Sequence, residues 1–523
     1  MTLPNPVRED GGMLLGDLAH RGATLWPDRT AFAWEGRRRS YRELHERAGA
    51  WRRLLAGGGV AAGDRIALLT VNVPEAIEVA FAASRLGAVV VPLNVRLGPA
   101  EIRFQVEDAG ARHAVVHPAL EGLARESGLL DGTFWTVGPD LDAALADAGG
   151  GAEAGAEAEA GAEVGAEAGA AGPPRPDEDA PVMQLYTSGT TGRPKGCLLT
   201  NRGWVVAAAN AVHAFGLTGD DRLLGALPLF HVAGYGAALG HLAVGGTVVL
   251  PAGSSPDELW PVIAGHGVTV AIFPTGTGRG MRHPSAPGPL RLVFGMGATE
   301  RRRTLEALRG HGVDYRGVYG STEAGNFVTV TTLADELARP GTVGRPLPPF
   351  DVRVEGPGGE AGPGEVGELL VRGASLMAGY AGLPEATAET LRGGWLHTGD
   401  LLRRDGDGCF YFVDRAKDMV KTGGENVYSA EVERVLAEHP EVADVAVVGV
   451  PDRRWGEAVK ALVVVRGEAG PADLDAHCRE RLGGFKRPRW YELVEAIPRN
   501  HSGKILKREL RAAHDPDTSV HLP

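Results

Sequence analysis

The sequence predicts an α/β protein: a large N-terminal domain with parallel α/β sheets and a small β-barrel subdomain, plus a small α+β C-terminal domain. Three observations lead there. From about Arg65 to Tyr319, short apolar runs alternate with helical patterns, which is the signature of parallel sheets covered by helices. From about Thr342 to Phe412, short strands sit between Gly-Pro turns, as in a small β-barrel or sheet. After Lys417 comes a compact tail that mixes helix and strand patterns and is long enough for its own core.

The elements follow in order. RIALLTV reads as a strand, PEAIEVAFAASRLG as a helix and AVVVPLN as a strand; TVVLP, SPDELWPVIAGHG and VTVAIFP repeat that order. DVRVE, GELLVRG and GCFYFVD are the strands of the β-rich stretch, residues 342–412. In the tail, AEVERVLAEHP and ADLDAHCRERL read as helices, and VADVAVVGV and AVKALVVV as strands. The expected domains are 1–416 and 417–523. Residues 150–172, GGAEAGAEAEAGAEVGAEAGAAG, have almost no side chain able to build a core and read as a solvated insertion.

At 523 residues the chain is too long for one core. A net charge of −12 argues against nucleic acid or anionic membrane as the main partner. No apolar run reaches the ~18 residues of a membrane span. The N-terminus lacks a basic-then-apolar signal pattern, and three scattered cysteines suit a reducing cytoplasm.

LYTSGTTGRPKG, Leu185 to Gly196, carries glycines, hydroxyls and one lysine after an apolar run. Its amides can form an anion nest and its hydroxyls can donate to phosphate oxygens. The spacing excludes the phosphate loop of kinase-like enzymes, which ends in Gly-Lys-Ser/Thr. Thr200 is placed to cap the following helix, NRGWVVAAANAVHAF. Only seven of the 54 basic residues are lysines: Lys195, Lys417, Lys421, Lys460, Lys486, Lys504 and Lys507. In a chain that otherwise writes Arg, a retained Lys points to a need for a compact ammonium.

This loop, with Tyr319-Gly320-Ser321-Thr322-Glu323, His397-Thr398-Gly399-Asp400 and Asn500-His501-Ser502-Gly503-Lys504, resembles the acyl-adenylate-forming superfamily. The motifs stand in that family's order over roughly Leu15 to Leu510. Within it the pattern is closest to acyl- and aryl-CoA ligases. The resemblance implies that a carboxylate attacks the α-phosphate of ATP, pyrophosphate leaves, and a second nucleophile takes the acyl group from acyl-AMP. It assigns Thr187, Ser188, Gly189, Thr190, Thr191, Gly192 and Lys195 to the phosphates. Gly297, Ala298, Thr299 and Tyr319 fall to adenine, Asp400 to ribose, and Arg415 to ribose or phosphate. Thr322 would donate to the α-phosphate and Glu323 would hold Mg²⁺. Lys504 would bridge carboxylate and α-phosphate, and Lys417 matches the hinge about which the mobile small C-terminal domain of the family swings between two half-reactions. Lys421, Gly423, Gly424 and Glu425 would face CoA.

LPLFHVAGYG resembles the acyl-pocket motif and puts Phe230 and His231 at the carboxylate end. Tyr235, Phe273, Met296 and Gly320 add wall, and Asn326 adds a polar contact or serves its own loop. The glycine- and arginine-rich segment 275–293 is shorter than is usual in the family, so the wall there is expected to differ. No aspartate in the FHVAG segment would hold an α-ammonium, which speaks against amino acids. The expected activity is ATP-dependent, Mg²⁺-dependent ligation of a small or aromatic carboxylic acid to CoA, and a homodimer is compatible with it. Two alternatives stay open: a natural-product adenylating enzyme with another acceptor (a carrier protein, or nitrite activation for diazotisation), and an inactive nucleotide-binding regulator.

Overall fold

The computed structural model describes residues 12–150, 175–187, 193–253, 255–272, 288–296, 302–423, 425–500 and 503–522. Residues 151–172 of the insertion and residues 275–287 of the 275–293 segment lie outside the described residues. So do Ser188, Gly189, Thr190, Thr191, Gly192, Phe273, Gly297, Ala298, Thr299 and Gly424. The chain divides into two compact units: Met1–Asp351 with Val371–Leu396, and Val352–Leu370 with His397–Pro523.

The first unit holds two sheets. One places the strands Asp314–Ser321, Leu292–Met296, Val270–Ile272, Arg222–Leu224, Thr247–Leu250 and Thr30–Trp34 side by side in parallel. Antiparallel strands flank this run: Asn326–Thr332 and Thr342–Pro346 at one end, Arg37–Ser40 at the other. The other sheet is seven-stranded. Its parallel centre contains Arg65–Leu69 and Val89–Pro92, and an antiparallel hairpin, Pro181–Thr187 with Lys195–Thr200, extends one side. Val89–Pro92 and Val270–Ile272 are apolar and buried along their whole length, as strands covered on both faces are. Helix Pro74–Leu86 starts with proline and ends on Gly87, the asymmetry that fixed-φ proline and left-handed glycine impose.

In the second unit the strands Gly359–Glu360, Phe350–Gly356, Val366–Gly373, Leu396–Arg404 and Phe410–Arg415 follow one another. These strands run in that order in one sheet, and the barrel expected from the sequence is not confirmed among the described residues. The tail builds a separate six-stranded sheet around Val442–Asp452 and Gly456–Val465. Val445 and Val447 face one core with Val432, Leu436 and Tyr491. Ala446, Val448 and Val450 face another with Ile497 and Leu510. Successive strand residues alternate faces, so two cores demand an unbroken apolar run.

Candidate active site

The hairpin Pro181–Thr187/Lys195–Thr200 pairs Thr187 with Lys195, so the two residues that flank the glycine loop start side by side. Behind it, Thr200 caps helix Asn201–Phe215: its Oγ1 accepts the Gly203 N–H at 3.0 Å. The Lys195 ammonium lies over the ring of Tyr380, 4.8 Å from its centroid. The Tyr380 hydroxyl donates to Glu323 Oε1 at 3.0 Å. Tyr380 belongs to a short strand, Gly379–Tyr380, paired to the hairpin through Tyr380 and Cys197.

The segment from Ser375 to Tyr380 buckles this hairpin to the Thr322-Glu323 turn. Met377 N–H donates to Glu323 O at 2.9 Å, and Ser375 Oγ donates to Ala324 O at 2.9 Å. Gly325 has a positive φ of 78°, and a Cβ there would lie 2.0 Å from Ser375 O, so glycine is the residue that lets the turn close. Tyr319, Thr322 and Glu323 are partly exposed and Gly320 is exposed, so all four are accessible. A register shift between Tyr319 and Gly320 marks a bulge, a device that re-aims side chains beside functional sites.

Glu323 fits Mg²⁺, which takes one or two carboxylates and completes its shell with phosphate and water. Among the described residues no group of three or more His, Cys, Asp or Glu side chains could hold a metal ion alone.

Of the residues expected to line the acid pocket, Phe230, His231 and Tyr235 stand at the start of helix Val232–Ala243 in this same unit. His231 precedes that helix and packs on Phe230, with ring centroids 4.7 Å apart. Burial, assisted by the charge of Arg96, pushes its imidazole down to about 4, so it is neutral at physiological pH. Phe230 and Tyr235 line a small cavity with Thr70, Leu93 and Leu229. The Tyr235 hydroxyl is tied to Ala76 O at 2.9 Å, which leaves its ring as apolar wall. Met296 pairs with Val318 in the sheet.

Asn326 is the unusual member. It is 2% exposed, its φ is 154°, and neither Nδ2 nor Oδ1 has a hydrogen-bond partner. Its own loop therefore does not satisfy it. Its amide fills the space that Gly236 leaves: a Cβ there would stand 1.5 Å from Nδ2.

The second unit gathers a different set. Asp400 and Arg415 are directly opposite in neighbouring strands, and Arg415 Nε lies 3.4 Å from Asp400 Oδ1. Asp400 is buried at 7% exposure. Lys504 ends a tight turn in which Asn500 N–H donates to Lys504 O, Lys504 N–H donates to Asn500 Oδ1, and Gly503 takes a φ of 81°. Arg499 braces the turn by donating to Gly503 O while pairing with Asp444. Burial lowers the Lys504 ammonium from 10.5 to about 8; Arg415 and Lys417 push the same way, and Asp400 and Asp418 oppose. Four of the expected residues thus converge here: Asp400, Arg415, Lys417 and Lys504.

The hairpin with Lys421, Gly423 and Glu425 packs on Trp455, whose carbonyl accepts the Gly423 N–H at 2.8 Å. Lys421 and Glu425 are exposed.

Sequence reasoning missed Tyr380, whose one signal is an aromatic after glycine in LMAGYAG. It also missed Asp414, which accepts from the Ser429 amide and hydroxyl and so holds the Arg415 strand against helix Ser429–Ala437. The lysine economy was only partly about nucleotide motifs. Lys507 pairs with Glu433, Lys486 with Glu431, and fully buried Lys460 with Glu492 at 2.6 Å.

Residues 19–381 match the family described as AMP-binding enzyme, and residues 431–504 match the AMP-binding enzyme C-terminal domain. Feruloyl-CoA synthase of Amycolatopsis sp is 38% identical over 514 residues, covering 95% of this chain and 98% of that protein. The o-succinylbenzoate CoA synthetase of Bacillus subtilis, solved with its acyl-adenylate intermediate, superposes with a TM-score of 0.83 at 30% identity, covering 95% and 98% of the two chains. The same synthetase with ATP and magnesium ion gives 0.82 at 30% identity, covering 94% and 98%. The chain belongs to the AMP-binding enzyme family.

Proposed function

We propose that this AMP-binding enzyme ligates a small or aromatic carboxylic acid to CoA through an acyl-AMP. A carboxylate oxygen attacks the α-phosphorus of ATP, and the bond to pyrophosphate breaks. The CoA sulfur then attacks the acyl carbon; its proton is lost and AMP leaves with the anhydride oxygen. The observation that carries this reading is the convergence of Asp400, Arg415 and Lys417 around the Lys504 turn. A half-buried ammonium beside a ribose-type acceptor and a guanidinium suits charge that builds up on the α-phosphate.

In this assignment Lys504 bridges the attacking carboxylate and the α-phosphate. Thr322 donates to the α-phosphate, and Asp400 accepts the ribose hydroxyls, a task for an acceptor-only group. Arg415 reaches ribose or phosphate, and Tyr319 offers its ring to adenine. Thr187 and Lys195 hold the leaving phosphates. Glu323 would hold Mg²⁺, which when bound offsets phosphate charge. Phe230, His231, Tyr235, Met296 and Asn326 shape the acid site, where His231 stays neutral. Lys417 is the hinge residue, and Lys421, Gly423 and Glu425 belong to the CoA step. The three cysteines are free and buried, in keeping with a cytoplasmic enzyme.

The test is a pyrophosphate-release screen across short, aromatic and hydroxy- or amino-substituted acids, with and without CoA. The account expects pyrophosphate and AMP with at least one aromatic acid, and CoA consumption with that acid. ADP as the product overturns the mechanism. Adenylate formation with no use of CoA leaves the first half standing and replaces the acceptor.

A further inference from the structure

Tyr380 stands between two opposite charges that the nucleotide reading needs separately. Lys195 Nζ sits 4.8 Å from the centre of its ring, and its hydroxyl donates to Glu323 Oε1 at 3.0 Å. Among the described residues no ion pair joins Lys195 to Glu323. An ammonium and a carboxylate so placed attract each other, more strongly where water is partly excluded. A ring face attracts the ammonium by its quadrupole, and a phenol hydroxyl attracts the carboxylate by a hydrogen bond. One rigid side chain therefore satisfies both groups and keeps them from satisfying each other.

The side chain is held for this. Tyr380 is 9% exposed. Its backbone N–H donates to Thr387 Oγ1 at 2.9 Å, and the residues on either side are bonded to the hairpin: Ala378 N–H to Leu198 O and Ala381 N–H to Gly196 O. The Glu323 backbone is fixed independently by Met377.

We propose that Tyr380 is a positioning residue that prevents Lys195 and Glu323 from collapsing into an ion pair, so that both stay open to the phosphate tail and its metal. The proposal rests on the nucleotide reading above. It differs from a packing role because it makes the loss of Tyr380 correctable at Glu323.

The experiment measures ATP binding by titration calorimetry, with EDTA and with Mg²⁺, on the full chain and on Tyr380→Phe, Tyr380→Leu and Tyr380→Leu/Glu323→Gln. Tyr380→Phe keeps the ring and is expected to bind metal-free ATP within about twofold of the parent, since it loses only one neutral donor. Tyr380→Leu removes the spacer and is expected to bind metal-free ATP about tenfold or more weakly, the worth of one charge-assisted phosphate contact. Adding Glu323→Gln removes the competing carboxylate and is expected to recover most of that loss. Parent-like binding by Tyr380→Leu overturns the proposal. So does a double variant as weak as Tyr380→Leu, which marks a merely structural ring, or a Phe variant as weak as the Leu variant, which shows that the ring face is not what holds Lys195 apart. Absence of ATP binding by the parent chain overturns the nucleotide reading itself, and the proposal with it.

Discussion

Lys504 offers the sharpest prediction because its environment sets a pH. Burial and the charges of Arg415 and Lys417 bring its ammonium down to about 8. It is then about 90% charged at pH 7, half charged at pH 8 and about 10% charged at pH 9. If the ammonium bridges carboxylate and α-phosphate, the rate of the first step follows that fraction. The quantity to measure is kcat/KM for ATP in the pyrophosphate assay, which reports the free enzyme. It should fall about tenfold from pH 7 to pH 9. Lys504→Ala should lose about 10²–10³-fold at neutral pH, as when one transition-state donor is removed. Lys504→Arg should be slow but flat over this range, because a guanidinium stays charged. An unchanged rate at pH 9, or the same alkaline limb in Lys504→Arg, would refute the reasoning. The sign for stability is opposite to that of a salt-bridged lysine. The folded value lies below the ordinary one, so charging Lys504 disfavours the fold; that penalty is fully present below about pH 8 and relieved between there and 10.5.

Three further outcomes follow from the same structure. Gly236→Ala puts a Cβ where the Asn326 amide stands, so it should raise KM for the acid severalfold while KM for ATP stays within about twofold, with overpacking held to ~1–3 kcal/mol in denaturant melts. Asp221 is buried and held by Arg291 at 2.7 Å; burial pushes its carboxyl up, but the Arg291, Thr218 and Thr269 hydrogen bonds outweigh that and bring it to about 2. Its stabilisation is therefore present above about pH 4 and lost as pH falls through about 2, and Asp221→Ala should cost about 1–3 kcal/mol in urea unfolding, chiefly by removing the acceptor of the buried Thr218 and Thr269 hydrogen bonds, since Arg291 is 41% exposed and water can take over its pairing. Thr200→Ala removes the cap of the helix behind the phosphate hairpin and should cost about 1 kcal/mol, read as a lower Tm.

Much of the fold was legible because it is written in local pattern. The alternation from Arg65 onward gives parallel strands, Thr200 caps the helix it was placed to cap, and the apolar run VAVVGV, Val445 to Val450, lies between two cores. Asp400 and Arg415 were found separately through their motifs, and their direct pairing across two strands is a matter of register that spacing does not encode. Tyr380 was illegible for the same reason. Its partners, Lys195 and Glu323, are far away in sequence and meet only because a two-residue strand joins the hairpin. The lysine bias mixed two causes, since a buried ion pair such as Lys460 with Glu492 asks for a compact ammonium as much as a phosphate does. Short strands between Gly-Pro turns announce strand pairing but not closure, so the sequence did not separate a barrel from a sheet.

The central claim is that the acid's own oxygen is transferred to phosphorus. The most direct measurement supplies an active acid labelled with oxygen-18 in its carboxylate, together with ATP, Mg²⁺ and CoA, and weighs the nucleotide product by mass spectrometry. The account predicts AMP that has gained a single labelled oxygen, with unlabelled pyrophosphate. Unlabelled AMP, or ADP accompanied by labelled inorganic phosphate, would contradict it.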